Sequence, residues 1–143
     1  MKAFSLKQPW ATLVAIGAKQ IETRSWKTDY RGPLAIHASK TWYATLGGLC
    51  LSWPFHEELE RAGIKIRDLK RPAELPFGAV VATGRLREIT RINPEFVHRL
   101  SWKEEMFGDY RLGRYAWLLE DVTPLEEPIP ARGALGLWEW DGP

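Results

Sequence analysis

The sequence contains one cysteine, Cys50, in 143 residues. One thiol excludes an internal disulfide, and this cysteine usage fits a reducing compartment. There is no run of about 18 apolar residues, so no membrane-spanning helix is expected. No basic stretch followed by an apolar core opens the chain, so no secretory leader is expected and the cytoplasm is the default location. The three histidines, His37, His56 and His98, show no HxxxH spacing and stand beside no paired cysteines, so the common zinc arrangements are missing. Gly47-Gly48 lacks the lysine that follows in a phosphate-binding loop. Cys50 lies between Leu49 and Leu51 with no base close in sequence, so it reads as a buried thiol and not as a nucleophile.

What the chain does have is tryptophan and an uneven distribution of charge. Eight tryptophans are present. Most are expected as core or boundary anchors, because each buries a large area and needs one partner for its N–H. Trp26 is the best candidate for stacking on a base, since Arg24, Lys27 and Arg31 flank it. The net charge is +2, yet residues 1–40 hold seven basic residues against Glu22 and Asp29, leaving the rest of the chain net negative. The positive charge gathers where an anionic partner would require it. The length predicts a single domain over residues 1–143, large enough to bury about 68–70% of the surface its unfolded chain exposes.

The most informative stretch is SLKQPWATLVAIGAKQIETR, Ser5 to Arg24. Pro9 suits the first position of a helix. Trp10, Leu13, Val14 and Gly17 then fall on one apolar stripe, and Gly17 is placed to end the helix. Gln20 to Arg24 reads as a strand with Ile21 and Thr23 on one face and Gln20, Glu22 and Arg24 on the other. Lys19 stands at the corner, and Lys7 and Gln8 precede the helix, near free N–H groups that can hold an anion. Together these residues make a polar binding site. The same spacing also fits a surface Glu22–Arg24 pair and a solvated Lys19.

Further strands are predicted at Lys2–Leu6, Leu34–Ser39, Ala79–Ile92, Arg114–Val122 and Gly136–Trp140. His37 and Ser39 share the less apolar face of the second of these, where small neighbours leave room for a ligand. Helical segments are expected over Lys40–Cys50, after Pro54, after Asn93-Pro94, and after Ser101, which forms a capping-box pattern with Glu104. Pro124, Pro128 and Pro130 are expected to break the chain after Val122. Six strands and three or four short helices argue for an α+β domain around a small barrel-like sheet.

The segments LKQPWA, GAKQIETR and GPLAIHASK resemble the ASCH domain of the PUA-like superfamily. Gly17, Lys19, Glu22 and Arg24 match its glycine, lysine, glutamate and arginine, and Lys7, Gln8, Pro9 and Trp10 match the basic-Gln-Pro-aromatic opening of some members. GRYAWLLEDV and GLWEW extend the likeness more weakly along the chain. The resemblance implies a small PUA-like β-barrel of about six strands, with short helices covering its mouth and a cleft suited to RNA or a nucleotide-like ligand. No cofactor, metal or membrane partner is implied. Some small ASCH proteins are amidohydrolases acting on acetylated cytidine through the motif lysine, a threonine three residues later and a glutamate from a later helix. Others have been described as ribonucleases. Here Glu22 occupies the threonine position.

Lys7, Gln8, Trp10, Lys19, Glu22, Arg24, Trp26, His37 and Ser39 are therefore expected to bind RNA or a nucleotide, in a protein acting in RNA metabolism. The alternatives are a hydrolase using Lys19 and Glu22, and a protein-interaction adaptor with exposed tryptophan anchors. A charged lysine is better suited to holding a phosphate than to acting as a base beside Glu22, which favours binding over covalent chemistry.

Overall fold

In the first strand Phe4 and Leu6 are buried while Ser5 between them is half-buried, the two-residue repeat of a strand against a core. The computed structural model of the protein describes residues 1–142; Pro143, the last residue of the expected domain, lies outside the described residues. The strands are β1 (Lys2–Leu6), β2 (Ile21–Arg24), β3 (Gly32–Ala38), β4 (Ala79–Arg91), β5 (Tyr115–Pro130) and β6 (Trp138–Glu139). The helices are α1 (Trp10–Ala15), α2 (Ala44–Cys50), α3 (Phe55–Arg61), α4 (Pro94–Arg99) and α5 (Trp102–Phe107). No helix among the described residues is long and apolar enough to cross a membrane.

The six strands form one mixed sheet in the order β2-β5-β4-β3-β1-β6. Among the described residues only β1 and β3 run parallel. The expected barrel does not close. The short β6 pairs with Lys2 and Ala3 alone and leaves the Ser5–Leu6 edge of β1 uncovered. β2 is four residues long and pairs only with β5. The two free edges face one another across a seam that side chains bridge, with an Arg24 Nη donating to the carbonyl of Ser5 at 2.7 Å.

The structure also corrects the expected end of β5. That strand continues through Pro124 and Pro130, which pair in register with Ala82 and Ala79 of β4. β2 covers β5 only from Tyr115 to Leu118, so the rest of β5 has an open side on which a missing N–H breaks no ladder bond. Pro9 stands at the N-cap, one residue before the helix whose first position it suits, and Pro54 is the N-cap of α3. Gly17 and Gly63, with φ of 82° each, end α1 and α3 in the left-handed region that glycine enters without steric cost.

The main core lies between α1 and the sheet. Trp117 of β5 is fully buried, stacks on Phe4 at 5.7 Å and receives the edge of Trp26 at 4.8 Å. A second core under the helices gathers Leu13, Phe55, Leu59 and Phe107 around Cys50. Cys50 is the buried thiol expected, and desolvation pushes its pKa up to about 11.

Candidate ligand-binding cleft

A cleft of about 640 Å³ opens in the seam between β1 and β2. Ser5, Leu6 and Lys7 form one lip, and Glu22 to Trp26 form the other. Trp10, Phe55 and the end of α5 close it. The cleft wall thus brings together Lys7, Trp10, Glu22, Arg24 and Trp26. Two residues remote in sequence join them, Asp109 and Arg114.

Arg24 is the centre of this arrangement. Its guanidinium donates to Ser5 O, lies over the Phe4 ring with 5.1 Å to the centroid, and approaches Glu22 Oε2 at 3.6 Å. Burial lowers its pKa; the Glu22 carboxylate works against that, and the Arg114 cation works with it. Its Nε is buried and has no partner among the described residues. Arg114 reaches Asp109 O at 3.1 Å and Thr23 O at 3.4 Å. The Asp109 carboxyl is held below its ordinary value chiefly by hydrogen bonds from Arg111. Trp10 is fixed by its indole N–H, which donates to Phe107 O at 2.7 Å.

Two motif residues have other surroundings. Gln8 is fully buried; its amide donates to Pro76 O at 2.8 Å and accepts from Thr12 N at 3.0 Å. It therefore satisfies one of the helix N–H groups expected to hold an anion, while the carbonyls of Lys7 and Pro9 accept from Ala11 and Leu13. Lys19 is also buried and does not reach the cleft wall. Its ammonium donates to Ile21 O and lies 3.8 Å from Glu104 Oε1. Desolvation lowers its pKa, overcoming the carboxylates of Glu22 and Glu104. The ion pairs are thus Lys19 with Glu104 and Arg24 with Glu22.

Glu104 was expected to complete a capping box. Ser101 does cap α5, its Oγ accepting from Glu104 N at 3.2 Å. The Glu104 carboxylate instead reaches across to β2, accepting from Gln20 N at 3.2 Å and Ile21 N at 3.1 Å. It therefore anchors the lip that carries Glu22 and Arg24. No local signal reveals this, because its partners are more than eighty positions away.

His37 and Ser39 line a second cavity, of about 1150 Å³, and Ser5 lines both that cavity and the cleft. Of the tryptophans, Trp53 and Trp102 are exposed and pack on each other at 4.5 Å, while the other six are buried or half-buried. The case for exposed anchors narrows to that pair.

The profile of the ASCH domain matches residues 4–128. Among solved structures, ASCH from Zymomonas mobilis is similar with a TM-score of 0.59 at 16% identity, over 98% of this chain and 87% of that chain. Two point variants of the Zymomonas mobilis protein match at 18% identity with TM-scores of 0.54 and 0.55, over 98% of this chain and 90% and 88% of theirs. These likenesses are to the fold. No curated protein matches the sequence.

Proposed function

The chain belongs to the ASCH domain family, and from that premise we propose that the seam cleft binds RNA or a nucleotide-like ligand. Membership supports a general RNA-binding or nucleotide-related role. The observation that carries the reading to this cleft is the Arg24 guanidinium in its wall, a partly exposed fork of donors that an acceptor from a phosphate or a base can meet. Lys7 and Arg114 add positive charge, and Trp10 and Trp26 supply aromatic walls. The volume falls within the range of small-molecule sites.

Titration of a labelled single-stranded RNA at two salt concentrations tests this. Affinity is expected to fall with salt, since each phosphate contact releases counterions. Arg24→Ala should weaken binding by about 1.5–3 kcal/mol, roughly ten- to hundredfold, as for a lost charge-assisted hydrogen bond. Arg24→Lys should recover only part of this, because it keeps the charge without the planar fork. Affinity indifferent to both salt and Arg24→Ala would refute the assignment.

A hydrolase using Lys19 and Glu22 draws on the lowered pKa of Lys19, which favours a neutral amine. Against it, the Lys19 side chain has no exposed surface and is directed to Ile21 O and Glu104. Turnover of N4-acetylcytidine or RNA that disappears in Lys19→Ala would revive it.

A further inference from the structure

The parallel register of β1 and β3 sets Ser5 opposite His37, so their side chains stand together on one face. Ser5 Oγ is 2.9 Å from His37 Nδ1, and His37 Nε2 is 2.8 Å from the carbonyl oxygen of Ala131. A carbonyl only accepts, so Nε2 carries the hydrogen. In the neutral ring Nδ1 is then bare, and the Ser5 hydroxyl donates to it. Burial of the ring lowers its pKa, which favours that neutral form; the bond to Ala131 O opposes this in part. Trp138 meets the imidazole edge-to-face at 5.3 Å and fixes its plane.

His37 is buried, whereas Ser5 is half-buried and lines both cavities, so the pair is reached from the Ser5 side. The second cavity has Lys40 and Arg132 in its wall and, among the described residues, no carboxylate. Gly133 passes over the pair so closely that a Cβ there would stand 2.7 Å from Ser5 Oγ and 2.6 Å from His37 Cε1. Only glycine permits this approach, since any side chain here would clash with the hydroxyl and the ring.

We propose that Ser5 is a nucleophile and His37 its general base, acting on a carboxylic ester that bears a negative charge elsewhere in the molecule. Ser5 Oγ bonds to the ester carbonyl carbon as its proton passes to His37 Nδ1. The ester C–O bond then breaks, the departing alkoxide takes that proton, and Ser5 is left acylated. Water gives a proton to the same nitrogen and attacks the acyl carbon. The bond to Oγ breaks, Oγ regains the proton, and the net reaction is ester plus water to acid plus alcohol. The orienting group is a backbone carbonyl in place of the carboxylate of the serine-protease triad. Lys40 and Arg132 select the anionic ester. None of this depends on RNA binding in the seam cleft.

Incubation of the full-length protein with a fluorophosphonate, followed by peptide mapping, tests the nucleophile. One adduct is expected, on Ser5. Its rate should be flat at neutral pH and fall as pH drops through the His37 pKa, below the ordinary imidazole value of about 6.5, because the protonated ring cannot accept. His37→Gln should slow labelling by about a hundredfold or more. Gly133→Ala, on an exposed loop, should slow it by obstructing the hydroxyl. Absence of an adduct on Ser5 in the wild-type protein overturns the proposal, as does labelling that ignores both pH and His37→Gln. Hydrolysis of p-nitrophenyl succinate should exceed that of p-nitrophenyl acetate at least about tenfold in kcat/KM, a preference worth about 1.4 kcal/mol. Equal rates would overturn the anionic preference.

Discussion

Replacing Glu104 by alanine is expected to cost the fold about 3–5 kcal/mol, the range for removing one partner of a buried charged pair. The carboxylate accepts from Gln20 N, Ile21 N and, at 3.4 Å, the Tyr110 hydroxyl, and it is the carboxylate nearest the buried Lys19 ammonium. Alanine leaves those donors without their acceptor and leaves the buried ammonium with Glu22 as its remaining carboxylate. Urea unfolding should show a lower midpoint with an unchanged slope. The loss should also depend on pH. The Lys19 pKa is lowered in the fold, so the folded chain binds fewer protons than the unfolded one as pH approaches 10, and stability contributed by this group rises through that window. Without Glu104 the rise should be steeper. Glu104→Gln, which keeps the shape and one acceptor, should lose less. A cost below about 1 kcal/mol for the alanine variant would show that Glu104 does not hold β2 in place.

The second large effect is expected at Trp117, where alanine should cost about 3–5 kcal/mol, as for a large aromatic removed from a core. The ring is fully buried, lies nearly parallel to Phe4 with an interplanar angle of 5°, and supports Trp26 edge-on. Its indole N–H donates to Trp26 O at 3.3 Å, so the cavity left behind would undermine the cleft wall as well as the sheet. Trp117→Ala should therefore lower the urea midpoint and, under conditions where it remains folded, weaken RNA binding. Trp117→Phe, which retains a ring against Phe4, should do much less of both. A variant without Trp117 that kept full affinity would separate the packing of Trp26 from recognition.

The elements were largely legible in the sequence because their signals are local. Alternation gave β2 and β3, and richness in Val, Thr and Ile gave β4, within a few residues, and Gly17 marked the end of α1. Closure of the sheet was not legible, since it depends on which edges meet and on how little of β1 the short β6 covers. The prolines of β5 misled for a related reason. A proline is tolerated where one side of the strand is open, and openness is a property of the neighbour. Of the charged corner, Glu22 and Arg24 line the cleft, while Lys19 lies deeper than its place in the sequence suggests. Spacing put Lys19 and Glu22 near one another, yet only the position of α5 turns Lys19 inward to Glu104. Arg114 and Asp109 had no signal at all, because they reach the cleft from the far end of the chain.

The unclosed seam has a consequence for how such a protein can change. The lips of the cleft are not neighbours in the hydrogen-bonded ladder, and β1 and β2 are each secured by the strand on their other side. Substitutions at Lys7, Ser25 or Trp26 can remodel the mouth while every strand pairing stays intact. Descendants of one scaffold can thus exchange ligands through mutations at the opening and leave their backbone architecture as inherited.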